Sequence, residues 1–298
     1  MECVNPNKEG TKVKANRTDL LHCAITTAVS AGRAILEVYD SADFGVEKKS
    51  DDSPLTLADR RAHEIITANI GGFGIPVLSE EGRDVSFAER SQWPQMWIVD
   101  PLDGTKEFIK RNGEFTVNIA LSEDGIPTMG VIYVPVADTL YFADNAMGAF
   151  MLPHCRETEI VERGSDAKDN LEKLLERAAR LPMPKDTDRP FTVMGSRSHG
   201  TPELEAYVEE MRQKHGDVNF ISAGSSLKIC LVAQGRADVY PRLGPTMEWD
   251  TAAGQAIATA SGAQVVRHDN GAPLAYNKED LLNPWFIVER PSCQAKNA

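Results

Sequence analysis

Between residues 19 and 39, DLLHCAITTAVSAGRAILEVY, apolar side chains return every three or four positions behind Thr18 or Asp19 as a cap, and this period predicts a helix. A second helix is predicted over 56–70 and stops at Gly71-Gly72. IPVLS then reads as a short buried strand running into Glu80-Glu81, and MWIVD as the next strand. From 115 to 152 the pattern becomes that of antiparallel hairpins: FTVNIALSE, a turn at Asp124-Gly125, PTMGVIYVP, TLYFADN and GAFML. The stretch 155–189 is polar, with one helix predicted around 166–180, and closes on the three prolines of LPMPKDTDRP, which break regular structure. Beyond it strands and helices alternate: FTVMGS, a helix over 202–214, VNFIS, a helix over 225–234, ADVYP, a helix over 250–261, AQVVRH and WFIVE. That rhythm predicts helices on a mostly parallel sheet. The chain therefore divides into an α+β half (1–154), a connector (155–189) and an α/β half (190–298).

Composition narrows the function. A chain of 298 residues with 42% hydrophobic content can bury a large core. A formal net charge of −12 argues against a broad nucleic-acid or membrane surface, although a small anion can still bind locally. The five cysteines (Cys3, Cys23, Cys155, Cys230, Cys293) are scattered and form no C-x-x-C pair, so neither a disulfide framework nor a zinc site is expected, and a reducing cytoplasm fits best. MECVNPNKEGTKVK holds no apolar core of a signal segment, and no run is long and apolar enough to span a membrane, so neither export nor insertion is expected.

The chemistry concentrates in acids. Singly, Asp100 and Asp103 of WIVDPLDG read as turn formers and Asp250 of MEWDTAAG as a helix N-cap. Yet VLSEEG and WIVDPLDG each place carboxylates directly after an apolar strand, where neighbouring strands bring them together. Crowded carboxylates raise one another's pKa, and a hard divalent cation with oxygen ligands, magnesium first among them, relieves the repulsion. No Walker A loop occurs, which excludes one other route of phosphate chemistry.

The ordered set KKSDDSPLTLAD (48–59), LSEEG (78–82), WIVDPLDGTKEF (97–108), GSRSH (195–199) and AGSSLKICLVAQGRADVYPRLGPTMEWDTAAG (223–254) resembles the inositol monophosphatase superfamily of magnesium-dependent phosphomonoesterases, and within it the 3'(2'),5'-bisphosphate nucleotidases of sulfur metabolism. The resemblance implies a layered αβαβα sandwich and two or three Mg2+ ions held by Glu80, Asp100, Asp103, Asp250 and the carbonyl of Leu102. It implies that Thr105 hydrogen-bonds the attacking water together with an acid of the KSDDS loop, Asp51 with Asp52 as the alternative, and that Glu80 takes part in catalysis. It also implies that lithium inhibits. A bound metal of this kind lowers the pKa of water and neutralises phosphate oxygens, so no covalent phosphoenzyme is required.

For the substrate, AGSSLK sets Gly224, Ser225 and Ser226 at a predicted helix start with Lys228 one turn on, which suits a phosphate; a serine cap with a surface lysine is the plainer reading of the same residues. The resemblance assigns Gly104, Thr105, Ser196, Arg197, Ser198, His199, Ser225, Lys228, Arg242 and Asp250 to the substrate, expected to be a small-molecule nucleotide bisphosphate. It is compatible with a homodimer. Two alternatives stay open: an inositol or sugar monophosphatase of the same fold, and a non-catalytic metal or nucleotide sensor, against which the complete set of acids and Thr105 counts.

Overall fold

The computed structural model describes residues 16–41, 47–48, 54–157, 166–184, 188–196 and 201–291. In chain order they form α1 (Arg17–Tyr39), β1 (Glu47–Lys48), β2 (Pro54–Leu55), α2 (Leu57–Ile70), β3 (Val77–Ser79), α3 (Phe87–Arg90), β4 (Gln95–Asp103), α4 (Thr105–Ile109), β5 (Thr116–Glu123), β6 (Ile126–Val134), β7 (Thr139–Asp144), β8 (Gly148–Pro153), α5 (Ala167–Arg177) and β9 (Ala179–Arg180). There follow β10 (Phe191–Ser196), α6 (Pro202–His215), β11 (Val218–Ala223), α7 (Leu227–Gln234), β12 (Val239–Arg242), α8 (Glu248–Ala260), β13 (Gln264–Arg267) and β14 (Phe286–Glu289).

Strands β3 to β9 make one seven-stranded sheet in sequence order, parallel only between β3 and β4. A second sheet runs β11-β10-β12-β14-β13. The two-residue period of the strands sorts side chains into three cores. Trp97, Val99, Val117, Ile119, Val131 and Tyr133 meet helices α1 and α2 on one face of the first sheet. Met96, Ile98, Ala120 and Ile132 point the other way, onto a core shared with α7, α8 and the second sheet. Val193 and Val239 face away from that core onto Leu204, Val208 and Met211 of α6. The layers are therefore αβαβα, as the resemblance implies, with α7 and α8 in the middle. The approach of α8 to the first sheet depends on Gly130, where a Cβ would stand 2.3 Å from the Ala253 carbonyl oxygen.

Three local readings change. The cap of α1 is Asn16, whose side chain accepts from the Asp19 N–H, because the helix begins two residues earlier than its apolar period. The stretch 155–189 contributes α5, packed on α1, and β9, paired with β8, to the first layers. The second sheet is mixed: β10 runs parallel to β11 and β12, while β14 is antiparallel to β12 and β13. After β13 the chain returns through the irregular segment 268–285 instead of a crossover helix, so β14 enters reversed, a direction that apolar periodicity does not encode. Among the described residues no helix is long and apolar enough to cross a membrane.

Candidate active site

Asp100 and Asp103 are three residues apart and in a regular strand would face opposite sides of the sheet. Instead Asp100 pairs with Asn118 and Asp103 with Thr116, so β4 takes one more residue than β5 over the same interval and the register shifts. Pro101, which has no N–H to give the ladder, lies in this bulge. Leu102 swings into the core against α1 and α2, and both aspartates stay on the face toward α8. The Asp100 carboxylate also accepts the Leu102 N–H at 3.0 Å, which steadies the bulge. Gly104 follows with φ 94°, a left-handed conformation that suits glycine, and a Cβ there would stand 3.3 Å from that of Ser225.

Glu80 leaves β3 on the same face, its N–H bonded to the Val99 carbonyl, and Asp250 descends from the first turn of α8. Oxygens of Glu80, Asp100 and Asp250 lie within 4.8 Å of one another. Asp250 is the third residue of α8, not its N-cap, and accepts the Met247 N–H at 2.8 Å. Burial, then the charges of Glu80, Asp103 and Asp250, push the Asp100 carboxyl well above its ordinary range. Burial and then Asp103 push Asp250 up to about 8. Three oxygens from carboxylates that resist ionising beside each other are the donor set a hard divalent cation prefers, so the residues fit magnesium.

Asp103 stands beside these three. Its Oδ2 accepts the Ser226 N–H at 2.6 Å and the Asn118 amide at 3.4 Å, and lies 2.5 Å from the Ser226 hydroxyl. The Ser226 hydroxyl is also 2.8 Å from the Asp250 carbonyl and accepts from the Asn118 amide at 2.7 Å, so one buried serine ties β4, β5, α7 and α8 together. Thr105 Oγ1 lies 3.3 Å from Asp59 Oδ1 and 3.5 Å from the Leu102 carbonyl. The other oxygen of Asp59 accepts the N–H of Thr56 at 2.7 Å, and the Thr56 hydroxyl as well. A Thr105 hydroxyl that donates to Asp59 keeps its lone pairs as acceptors.

Past Asp103 and Gly104 a cavity of about 130 Å³ opens, lined also by Ser196, Ser225, Lys228 and Arg242. Lys228 is buried; its ammonium donates to the Ser225 carbonyl at 2.6 Å and sits 5.7 Å from the Tyr240 ring centroid. Burial, opposed by Asp103, Glu107 and Asp250, brings its pKa down to about 8. Arg242 donates to the Pro245 carbonyl at 2.7 Å, while its Nε, like the Ser225 hydroxyl, is buried without a hydrogen-bond partner among the described residues. Such orphaned donors suit an anion.

The structure thus gathers Glu80, Asp100, Leu102, Asp103, Thr105 and Asp250 at one place, with Gly104, Ser196, Ser225, Lys228 and Arg242 along the adjoining cavity. Asp51, Asp52, Arg197, Ser198 and His199 lie outside the described residues. Sequence reasoning passed over Asp59, Asn118 and the Ser226 side chain. A threonine three residues before an aspartate marks a capping box, and this signal at Thr56 and Asp59 points to the acid without revealing Thr105 as its partner.

Residues 16–295 match the inositol monophosphatase family, and the chain belongs to it. It is similar to the 3'(2'),5'-bisphosphate nucleotidase CysQ of Salmonella typhimurium, 46% identical over 88% of this chain and 96% of that protein. It resembles the CysQ of Escherichia coli K12 at 44% identity over the same shares. Among solved structures, CysQ from Bacteroides thetaiotaomicron superposes with a TM-score of 0.84 at 51% identity, covering 93% of this chain and 98% of that one. The SuhB protein of Bartonella henselae, 23% identical with a TM-score of 0.66 over 91% and 94%, shares the fold.

Proposed function

We propose that the chain is a magnesium-dependent 3'(2'),5'-bisphosphate nucleotidase that removes the 3'-phosphate of adenosine 3',5'-bisphosphate, giving AMP and phosphate. The observation that carries this reading is the pairing of two neighbouring zones: the carboxylates of Glu80, Asp100 and Asp250, which would take a phosphate through a bound cation, and the cavity beside Asp103 and Asp250 that holds Lys228 and Arg242. A substrate with two phosphates matches both, and the similarity to the CysQ 3'(2'),5'-bisphosphate nucleotidases supports the choice. Magnesium, when bound by Glu80, Asp100, Asp103, Asp250 and the Leu102 carbonyl, supplies charge neutralisation and a more acidic water.

The protein's own groups do the positioning. Thr105, its proton committed to Asp59, accepts from the attacking water and aims a lone pair of that water at phosphorus. An acid of the KSDDS loop is the second acceptor in this reading. Lys228 and Arg242 anchor the phosphate that is not cleaved, which places the other for in-line attack. The test is phosphate release from adenosine 3',5'-bisphosphate, its 5'-phosphosulfate analogue and inositol 1-phosphate across a magnesium titration. The first is expected to have the highest kcat/KM, and preference for inositol phosphate would refute the reading.

A further inference from the structure

A second cavity, about 470 Å³ and more apolar, adjoins the first. The two share Ser196, Tyr240 and Arg242, so together they make one cleft with a small polar end and a large apolar end. The polar end accommodates phosphate groups but is too small for a nucleoside, whereas the apolar end falls in the range of small-molecule pockets. Its walls include Leu243, Pro245 and Trp285. Trp285 is 43% exposed, although the next residue, Phe286, is buried. The backbone beneath it is tied, the Trp285 carbonyl accepting the His268 N–H at 2.8 Å, and the His268 ring stands edge-on to the indole with centroids 6.2 Å apart. A solvent-facing aromatic surface beside two aliphatic walls is a stacking platform.

We propose that this shelf seats the nucleobase of the substrate, stacked on Trp285, and that it sets the preference for nucleotides over polyhydroxylated monophosphates. The inference rests on the nucleotidase reading and adds the part of the substrate that the phosphate-binding groups do not recognise. An inositol or sugar ring needs hydrogen-bonding groups around its edge, which Leu243, Pro245 and the indole face do not offer; a purine offers a flat π-surface. Lys106 and Arg242, also on this cavity, suit the anionic ribose phosphate beside the base.

The test compares AMP, ribose 5-phosphate and inorganic phosphate as competitive inhibitors of wild type, Trp285→Ala and Trp285→Phe. Trp285→Ala should raise the KM for adenosine 3',5'-bisphosphate and the Ki of AMP about tenfold, as loss of one base-stacking contact does, with the Ki values of ribose 5-phosphate and inorganic phosphate unmoved. Trp285→Phe should recover most of that loss. Independently of the alanine variant, saturating AMP should quench the share of wild-type emission that Trp285→Phe lacks. Equal weakening of AMP and ribose 5-phosphate, or Trp285 emission indifferent to AMP, overturns the proposal. Failure of the wild type to release phosphate from the bisphosphate removes the nucleotidase reading and this inference together; release unaffected by Trp285→Ala removes only the inference.

Discussion

Asp103 on β4 and Ser226 at the head of α7 are 123 residues apart in sequence, and a single carboxylate oxygen of the aspartate receives the serine N–H and meets its hydroxyl. Ser226 makes no capping bond to its own helix. Its hydroxyl is spent on the acids and Asn118, so the residue positions Asp103. Ser226→Ala removes a hydrogen bond to a charged group, worth about 1.5–3 kcal/mol, while the backbone N–H bond remains. The magnesium concentration for half-maximal phosphate release should rise roughly ten- to a hundredfold. An unchanged magnesium dependence in the folded variant contradicts this role.

The acid cluster also predicts an unusual pH profile for the metal-free protein. A carboxyl whose folded pKa is raised contributes stability that is whole below its unfolded value and is lost as pH rises through the folded one. For Asp250 that window runs from the ordinary 3.8 to about 8. Metal-free wild type should melt progressively lower across it, and Asp250→Asn, which keeps an acceptor for Met247, should melt a few degrees higher than wild type at the alkaline end, about 2–4 °C for each kcal/mol of repulsion relieved. Magnesium should reverse the order, and thermal melts with and without the ion read both effects. Activity of Asp250→Asn, and equally of Asp100→Asn or Asp103→Asn, should fall to a small fraction of wild type.

Thr105 and Asp59 define a separate deficiency. Thr105→Val and Asp59→Asn should each lower kcat by about 10²- to 10⁴-fold, the scale of a lost proton-handling group, with little change in half-saturating magnesium. Steady-state kinetics over a magnesium titration separates this pattern from that of the metal-binding acids. A matching shift in magnesium affinity would place both residues with the ligands instead.

In the proposed reading, Lys228 carries the dependence on the second phosphate. Because burial holds its pKa near 8, the ammonium is lost as pH rises through that value, and kcat/KM for the bisphosphate should decline above it. Lys228→Arg should abolish that decline. Lys228→Ala should cost about ten- to a hundredfold in kcat/KM for the bisphosphate, mostly in KM, and hardly alter hydrolysis of inositol 1-phosphate. Equal losses on both substrates would assign the lysine to the fold or to the reacting phosphate.

Lithium, a small hard cation suited to the same oxygens, should inhibit the magnesium-saturated enzyme at concentrations where sodium has no effect, as the resemblance to the family implies. Indistinguishable titrations with the two salts would count against that expectation.

Much of this was legible in the chain because apolar period and strand-end acids are local signals. The helices at 17–39 and 57–70, the four antiparallel strands from 116 to 153 and the alternation after 190 all follow from side-chain patterning. WIVDPLDGT identified the acids, but not the extra residue that turns Asp100 and Asp103 to one face, since a bulge exists only against the partner strand β5. Asp59, Asn118 and Ser226 stayed hidden for the same reason: each acts through a residue distant in sequence, and no propensity carries that information. Trp285 read as one more apolar position of WFIVE. Only the neighbouring Leu243 and Pro245 turn it into a surface.

Asp100 belongs to the first sheet, Glu80 directly follows strand β3 of that sheet, and Asp250 belongs to a helix lodged between the two sheets and separated from Asp100 by about half the chain. An ion shared by them is a reversible rivet through the middle of the molecule, absent from the unfolded chain, whose holding strength grows with the logarithm of the free ion concentration: at ten times its dissociation constant it contributes about 1.4 kcal/mol. A cell short of magnesium would then hold this chain both idle and easier to open, so the supply of a catalytic ion also sets how long the protein survives its proteases.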